Sequence, residues 1–407
     1  MVTFLRRLMP PTGPVRALAV SGFAGTVGHG VILTVSILFF TRSVGLSADR
    51  VGLGMTVAAA CGVAASILAG RASDAIGPRP TAIALTLVQG LAVACYPLVG
   101  GFTGFLVAAG LVMGCHSASE AARGALIASA VGAAERVPAR AYLHAVTNAG
   151  LAVGTALGGV ALHRDTRPVY DTLLLVSGAL LVFSGLACLR LPPAARTGRP
   201  AGARPWDVLR DRRFALFTVL NTVLVTNDSL ITVVLPLWIA QRTHAPIAIY
   251  SAILLLNTVV VVCFQVRAGR RVEDVPSGIR ALRRSGALLA LCCAFFALAA
   301  GRAPWMAAAV LVAGAVAHVI GELLYSVGSW ALAFELAPEH AHGQYQGVFT
   351  MSIQLGGMVA PAAGTALIIG GGTGGWLAFA AVLLAAGLAA PTVTRLAPRT
   401  HREPASH

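Results

Sequence analysis

Three carboxylates stand where carboxylates are costly. Glu120, Asp228 and Glu322 each fall inside a long apolar run, and an ionised side chain at the centre of a membrane-spanning helix costs about 2.5–3.5 kcal/mol on insertion scales. Such a group needs a partner, a polar cavity or a task. Asp228 is flanked by Asn227 and Ser229 in NTVLVTNDSLITVV. It either lines a cavity that handles substrate or proton, or is a buried acid bonded to nearby hydroxyls. Glu322 has His318 one turn before it and Tyr325 about one turn after, on one helix face. Imidazole, carboxylate and phenol placed together can relay a proton or bind a cationic group; the bland alternative is a glutamate bonded to a neighbouring helix.

Glu120 repeats the spacing, with His116 four residues before it. Arg123 at i+3, and a place only a few residues from the end of its run, also fit an interfacial ion pair with snorkelling arms. His29, alone in GTVGHG, reads as a packing residue or a titrating one. For a carboxylate to trade protons near neutrality its pKa must rise by about 3 units, or ~4 kcal/mol, which desolvation in a partly dry cavity supplies. The chain has no Gly-x-x-x-x-Gly-Lys-Ser/Thr loop and no lysine at all, so the phosphate cradle of an ATP-driven pump is missing. Energy must come from an ion gradient or from the solute's own gradient. No cofactor and no metal site is expected, because none of the seven cysteines has ligand spacing or a disulfide partner in an exposed loop.

The elements that must position these groups follow from composition. Of 407 residues, 57% are hydrophobic and 11% charged, far from the roughly 25% charged residues of a soluble domain. Apolar runs of membrane-spanning length recur from end to end. Twelve spans are expected, near 17–41, 51–70, 80–99, 103–124, 142–163, 170–190, 214–240, 248–267, 282–300, 304–333, 346–370 and 376–393. The first is too long for a signal peptide and reads as a retained span. With the N-terminus cytoplasmic, all of the 30 basic residues except Arg42, Arg50, Arg164, Arg167, Arg242 and Arg302 fall on the cytoplasmic side. That asymmetry is the positive-inside pattern, so the net charge of +15 sets topology and calls for no nucleic acid. Both termini are expected in the cytoplasm.

A proline- and arginine-rich stretch, residues 191–213, divides the chain into an N-terminal six-helix bundle (1–190) and a C-terminal one with a short tail (214–407). His116 and Glu120 recur as His318 and Glu322, and GRASDAIGPR (70–79) has a degraded echo in GRRVEDVPSGIR (269–280). Duplicated six-helix halves are a plan of secondary transporters. In span five, Gly150, Gly154 and Gly158 recur every fourth residue, which lets helix backbones approach closely and rock.

Gly-x-x-x-Asp-x-x-Gly-x-Arg between spans two and three resembles the signature loop of the major facilitator superfamily, matched by Gly70, Asp74, Gly77 and Arg79. Within that family the chain is similar to bacterial drug-efflux members, notably in Glu335-Leu-Ala-Pro-Glu339 and Gln344-Tyr-Gln-Gly347. The resemblance implies an all-α membrane protein of twelve transmembrane helices in two pseudo-symmetric six-helix bundles. It implies that the loop aspartate latches the halves at the cytoplasmic side in one conformation and releases them in the other. The loop alone also reads as a surface turn with topology-setting arginines, its glycines permitting a sharp bend. A Gly-Pro pair common in span five of the efflux branch is absent, since Thr155 follows Gly154.

The expectation is a non-enzymatic, proton-coupled exporter of small, mainly apolar molecules. It would act as a monomer in the bacterial inner membrane, with bilayer lipid and a small-molecule substrate as its partners. Coupling falls to Asp228, Glu322, Glu120, His318 and His116, and Asn227, Tyr325 and His29 are cavity candidates. The alternative is a symporter or facilitator that imports a small nutrient.

Overall fold

The computed structural model describes residues 13–162, 164–192, 207–246, 248–272 and 274–396. The N-terminal arm, most of the 191–213 linker and the C-terminal tail lie outside the described residues. Every long element is helical. In chain order they are α1 (Pro14–Leu38), α2 (Ala48–Ile76), α3 (Pro78–Ala94), α4 (Gly101–Ala130), α5 (Arg136–Leu162) and α6 (Arg167–Ala187), followed by α7, which is broken into Arg212–Leu224, Asn227–Ser229 and Leu235–Arg242. Then come α8 (Ala248–Gly269), α9 (Val275–Leu298), α10 (Pro304–Glu335), α11 (His342–Gly364) and α12 (Gly370–Ala389). Among the described residues nine stretches are long and apolar enough to cross a membrane, and one of them, Glu339–Arg395, holds both α11 and α12. Leu68, Val107, Val219 and Leu255 are each at least 60% exposed. Large apolar side chains in the open on apolar helices call for lipid around them.

Two compact units are distinguished. The first contains α1–α6 with residues 262–271 and 337–358; the second contains 201–261, 272–336 and 359–407. In the first, α1 packs on α5 and α6, α2 on α4, and α3 on α4 and α6. Phe39, Phe40, Tyr96, Phe105 and Tyr170 form the bulk of its core at one end, with Phe40 tilted on Phe105 at 4.4 Å between ring centroids. Nearer the other end, Ser21 and Ser184 each donate to the other's carbonyl, at 2.8 and 2.7 Å. Gly150, Gly154 and Gly158 all face α1. A methyl group on them would strike Phe23 and Thr26, Val27 and Gly30, and Thr34 respectively, so the small residues set the α1–α5 spacing.

In the second unit α9 packs on α10 and α12. Trp238 and Trp376 form a buried edge-to-face pair, with Trp238 Nε1 donating to the Phe296 carbonyl at 2.8 Å. Tertiary packing buries both rings almost completely. A departure concerns α7, which the sequence presents as one continuous span. The side chains of Thr222, Thr226 and Asn227 hydrogen-bond back to the carbonyls of Thr218, Val223 and Leu224. Such back-bonding competes with the helical ladder. Pro236 brings no N–H and crowds the carbonyl four residues earlier, and the turn before it, Leu230–Val234, widens to a π-helix. Asp228 therefore lies in a joint, not in mid-helix. The helix carrying Glu120 also differs from expectation. α4 runs on to Ala130, so Glu120 lies roughly three turns from its end instead of a few residues.

Candidate functional site

Three polar constellations interrupt the apolar packing. The first is at the α2–α3 turn. Gly77 closes α2 with φ 102°, a conformation glycine adopts without strain, and Pro78 opens α3 at the position where a missing N–H costs nothing. Asp74 reaches across to the start of α11. Its Oδ1 accepts the Gly343 N–H at 2.7 Å and its Oδ2 the Gln344 N–H at 3.0 Å. Both are donors without an intrahelical partner in the first turn of a helix, where an anion is also favoured by the dipole. The approach depends on small residues: a methyl on Gly343 would meet Asp74 Oδ1 at 2.5 Å, and one on Gly347 would meet the Ser66 carbonyl at 2.7 Å. Gly70 fits against Gly343 in the same crossing. Arg79 donates to the Leu189 carbonyl beyond α6. All four signature residues thus have a geometric task, and the partner of Asp74 is a helix N-terminus.

The second constellation is in the first unit. Glu120 lies 3.7 Å from Arg123 Nε and 3.9 Å from Arg140 Nη2. Arg123 also donates to Ser21 Oγ at 3.1 Å, tying α4 to α1. His116 does not form a pair with Glu120 alone. Its ring stacks on that of His29 with centroids 4.0 Å apart, and its Nδ1 is 3.5 Å from Gln89 Nε2.

The third joins α7, α8 and α10 in the second unit. Glu322 Oε2 accepts from Asn257 Nδ2 at 2.7 Å and lies 3.7 Å from His318 Nδ1. His318 Nε2 is 3.1 Å from the backbone carbonyl of Asn227. A carbonyl only accepts, so Nε2 carries the proton. Tyr325 is not part of the His318–Glu322 contact. Asp228 is exposed at the α7 joint, and among the described residues its carboxylate has neither a hydrogen bond nor an ion pair. Among the described residues no group of three metal-ligating side chains occurs.

A family model described as Major Facilitator Superfamily matches residues 18–361, well over half of the chain. The protein belongs to this superfamily. An uncharacterized MFS-type transporter of Escherichia coli K12, YdeE, is 21% identical over 333 residues, covering 81% of this chain and 82% of that one. Among solved structures, FucP in its outward conformation superimposes with TM-score 0.76 at 12% identity, covering 93% of this chain and 98% of that chain. The human organic anion transporter MFSD10 gives TM-score 0.70 at 15% identity, over 92% and 98%. These structures share the all-α major facilitator fold. As a superfamily member the chain is a multi-pass membrane transporter, not an enzyme, and needs no resident cofactor. It binds a small molecule and works in lipid.

Sequence reasoning missed Asn257, Gln89 and Arg140, the partners of Glu322, His116 and Glu120. The signal was present, since an amide within an otherwise apolar run is nearly as conspicuous as a carboxylate. The backbone partners of Asp74 left no such mark, because an N–H belongs to every residue but proline.

Proposed function

We propose that this transporter exports small, mainly apolar molecules in exchange for protons, by alternating access between its N-terminal (1–190) and C-terminal (214–407) helical halves. One observation carries the proton coupling. Because His318 Nε2 is committed to the Asn227 carbonyl, a neutral ring turns the lone pair of Nδ1 toward Glu322 Oε2 at 3.7 Å. An ionised carboxylate and a bare ring nitrogen repel, and one proton held by either relieves the conflict. The other partner of Glu322 is a neutral amide, so the acid can gain or lose a proton without breaking a fixed arginine pair. Asp228, exposed beside it and without a hydrogen bond or ion pair among the described residues, is the second acid of the same path.

The apolar spans support this cargo class, because they offer few of the polar groups that a sugar would require. The carboxylate of Asp74 on the start of α11 is the latch that holds one conformation. Release of those two bonds belongs to each cycle. The protein works as a monomer in the bacterial inner membrane with both termini cytoplasmic, the orientation that the arginine distribution favours.

The absence of a Gly-Pro pair after Gly154 favours the second reading, a proton symporter or facilitator that imports a nutrient. A proton-coupled fold neighbour, the E. coli fucose:proton symporter FucP, carries its cargo with the proton. Retention of an apolar dye in cells with and without an uncoupler separates the two. Export requires that the uncoupler raise retention in expressing cells only. Lower retention with the uncoupler supports import, and no change in either direction overturns proton coupling of that dye.

A further inference from the structure

In the sequence His29 stands alone in GTVGHG, open to a packing or a titrating role. It is half of a pair. The His29 and His116 rings stack with centroids 4.0 Å apart and planes within 6°, and together they wall off two cavities. One is apolar, with Ile32, Phe40 and Met55; the other is polar, with Gln89, Glu120, Arg123 and Thr147. Both rings line both cavities. His29 Nδ1 is buried and, among the described residues, has no hydrogen-bond partner, a costly condition for a polar atom with no further role.

We propose that the two rings form a single proton-binding site whose capacity is one proton. Two imidazolium rings face to face at this distance would place like charges in contact in a poorly solvated interior, where their repulsion is strong. One charged ring on one neutral ring is tolerated, because the neutral ring offers its π face to the cation. The charged surroundings point the same way. On α4, Glu120 lies one turn beyond His116, with Arg123 Nε 3.7 Å from its carboxylate. From α5, Arg140 and His144 act on Glu120, and Arg140 stands 3.9 Å from its carboxylate. The residues that α2, α3 and α6 contribute to the two cavities carry no charge; Tyr96, beyond α3, is the remaining titratable neighbour. One carboxylate set against two arginines leaves the surroundings net positive, which adds to the cost of a second charge on the pair. A proton on the pair also competes with Arg123 and Arg140 for Glu120, so occupancy of the site loosens the link between α4 and α5.

The test counts protons and needs no substrate, so it stands or falls apart from the direction and cargo of transport. Full-length protein labelled with ¹⁵N-histidine in lipid nanodiscs is followed through its ring-nitrogen resonances from about pH 8 to about pH 4, a window that brackets the ordinary histidine range. Wild type, His29→Gln, His116→Gln and the double variant are compared. Relative to the double variant, wild type should bind one additional proton, and each single variant should also bind one. Two additional protons in wild type overturn the single capacity, and none overturns the site. Should a variant fail to fold, the wild-type resonances decide alone, since the protonated fractions of the two rings must sum to one at the acid end.

Discussion

Asn257 decides how Glu322 behaves. Its amide satisfies one carboxylate oxygen without neutralising it, which keeps the half-buried acid able to change its charge. Glu322→Gln preserves shape and removes the titration, so proton-driven transport should fall by roughly tenfold or more, equivalent to ~1.4 kcal/mol of lost driving interaction, with insertion and yield unchanged. Asp228→Asn should act in the same direction. Wild-type rates of substrate-dependent proton flux in liposomes would remove either residue from the path. Asn257→Ala takes away only the hydrogen bond; loss of such a partner costs about 1–3 kcal/mol, and thermal unfolding in detergent should show it as a lowered midpoint. Outside the spans, Asp274 accepts the Ser277 N–H at 2.9 Å at the head of α9, and its hydrogen bonds to Ser277 hold its carboxyl below the usual aspartate range. The depressed value means that the stabilisation is complete above the unfolded aspartate pKa near ~3.9 and disappears as pH falls through the folded value. The midpoint difference between wild type and Asp274→Ala should therefore be present at neutral pH and vanish in strong acid.

At the scale of elements, the crossing of α2 with the start of α11 is tightly packed and informative to break. Gly343→Ala inserts a methyl where Asp74 Oδ1 and the Gly70 backbone already lie, so the helices must part. Ser73, only 2% exposed beside this crossing, reports the change. In a background with the seven native cysteines replaced, Ser73→Cys should react slowly with a maleimide, and at least several-fold faster once Gly343→Ala or Asp74→Asn is added. Equal labelling would reduce the α2–α3 loop to a topology signal. Element by element, legibility followed the strength of the local signal. Twelve apolar runs announce twelve helices, because a backbone in lipid has no other way to satisfy its polar groups. The joint in α7 was hidden, since threonine, asparagine and a single proline are each tolerated in a membrane helix and only their concentration at 222–236 breaks it. The full length of α4 was hidden for a related reason. Residues 125–130, ALIASA, carry no mark that separates a continuing helix from a surface loop.

For the whole molecule, residues far apart in the chain meet in ways that periodicity does not encode. Asn257 meets Glu322, Gln89 meets His116, and Gln354 on α11 donates to Ser117 on α4. The sequence named the acids and histidines but not their companions, because helix order in space is set by tertiary packing. The short repeat of histidine and glutamate also proved local. His318 faces Glu322 directly, whereas His116 gives its ring to His29, so duplicated spacing has been put to two different uses.

The bond between Asp74 and α11 has a consequence for how this transporter tolerates change. Its two main-chain donors are peptide groups, which no ordinary substitution can delete. A drifting sequence can exchange the side chains at 343 and 344, within the limits of space, and still present the same pair of hydrogens to the carboxylate. Proline is the exception. At 344 it would fit the first turn of a helix while erasing one donor outright, making that imino acid the one replacement there that removes half of the main-chain contact while leaving the helix standing.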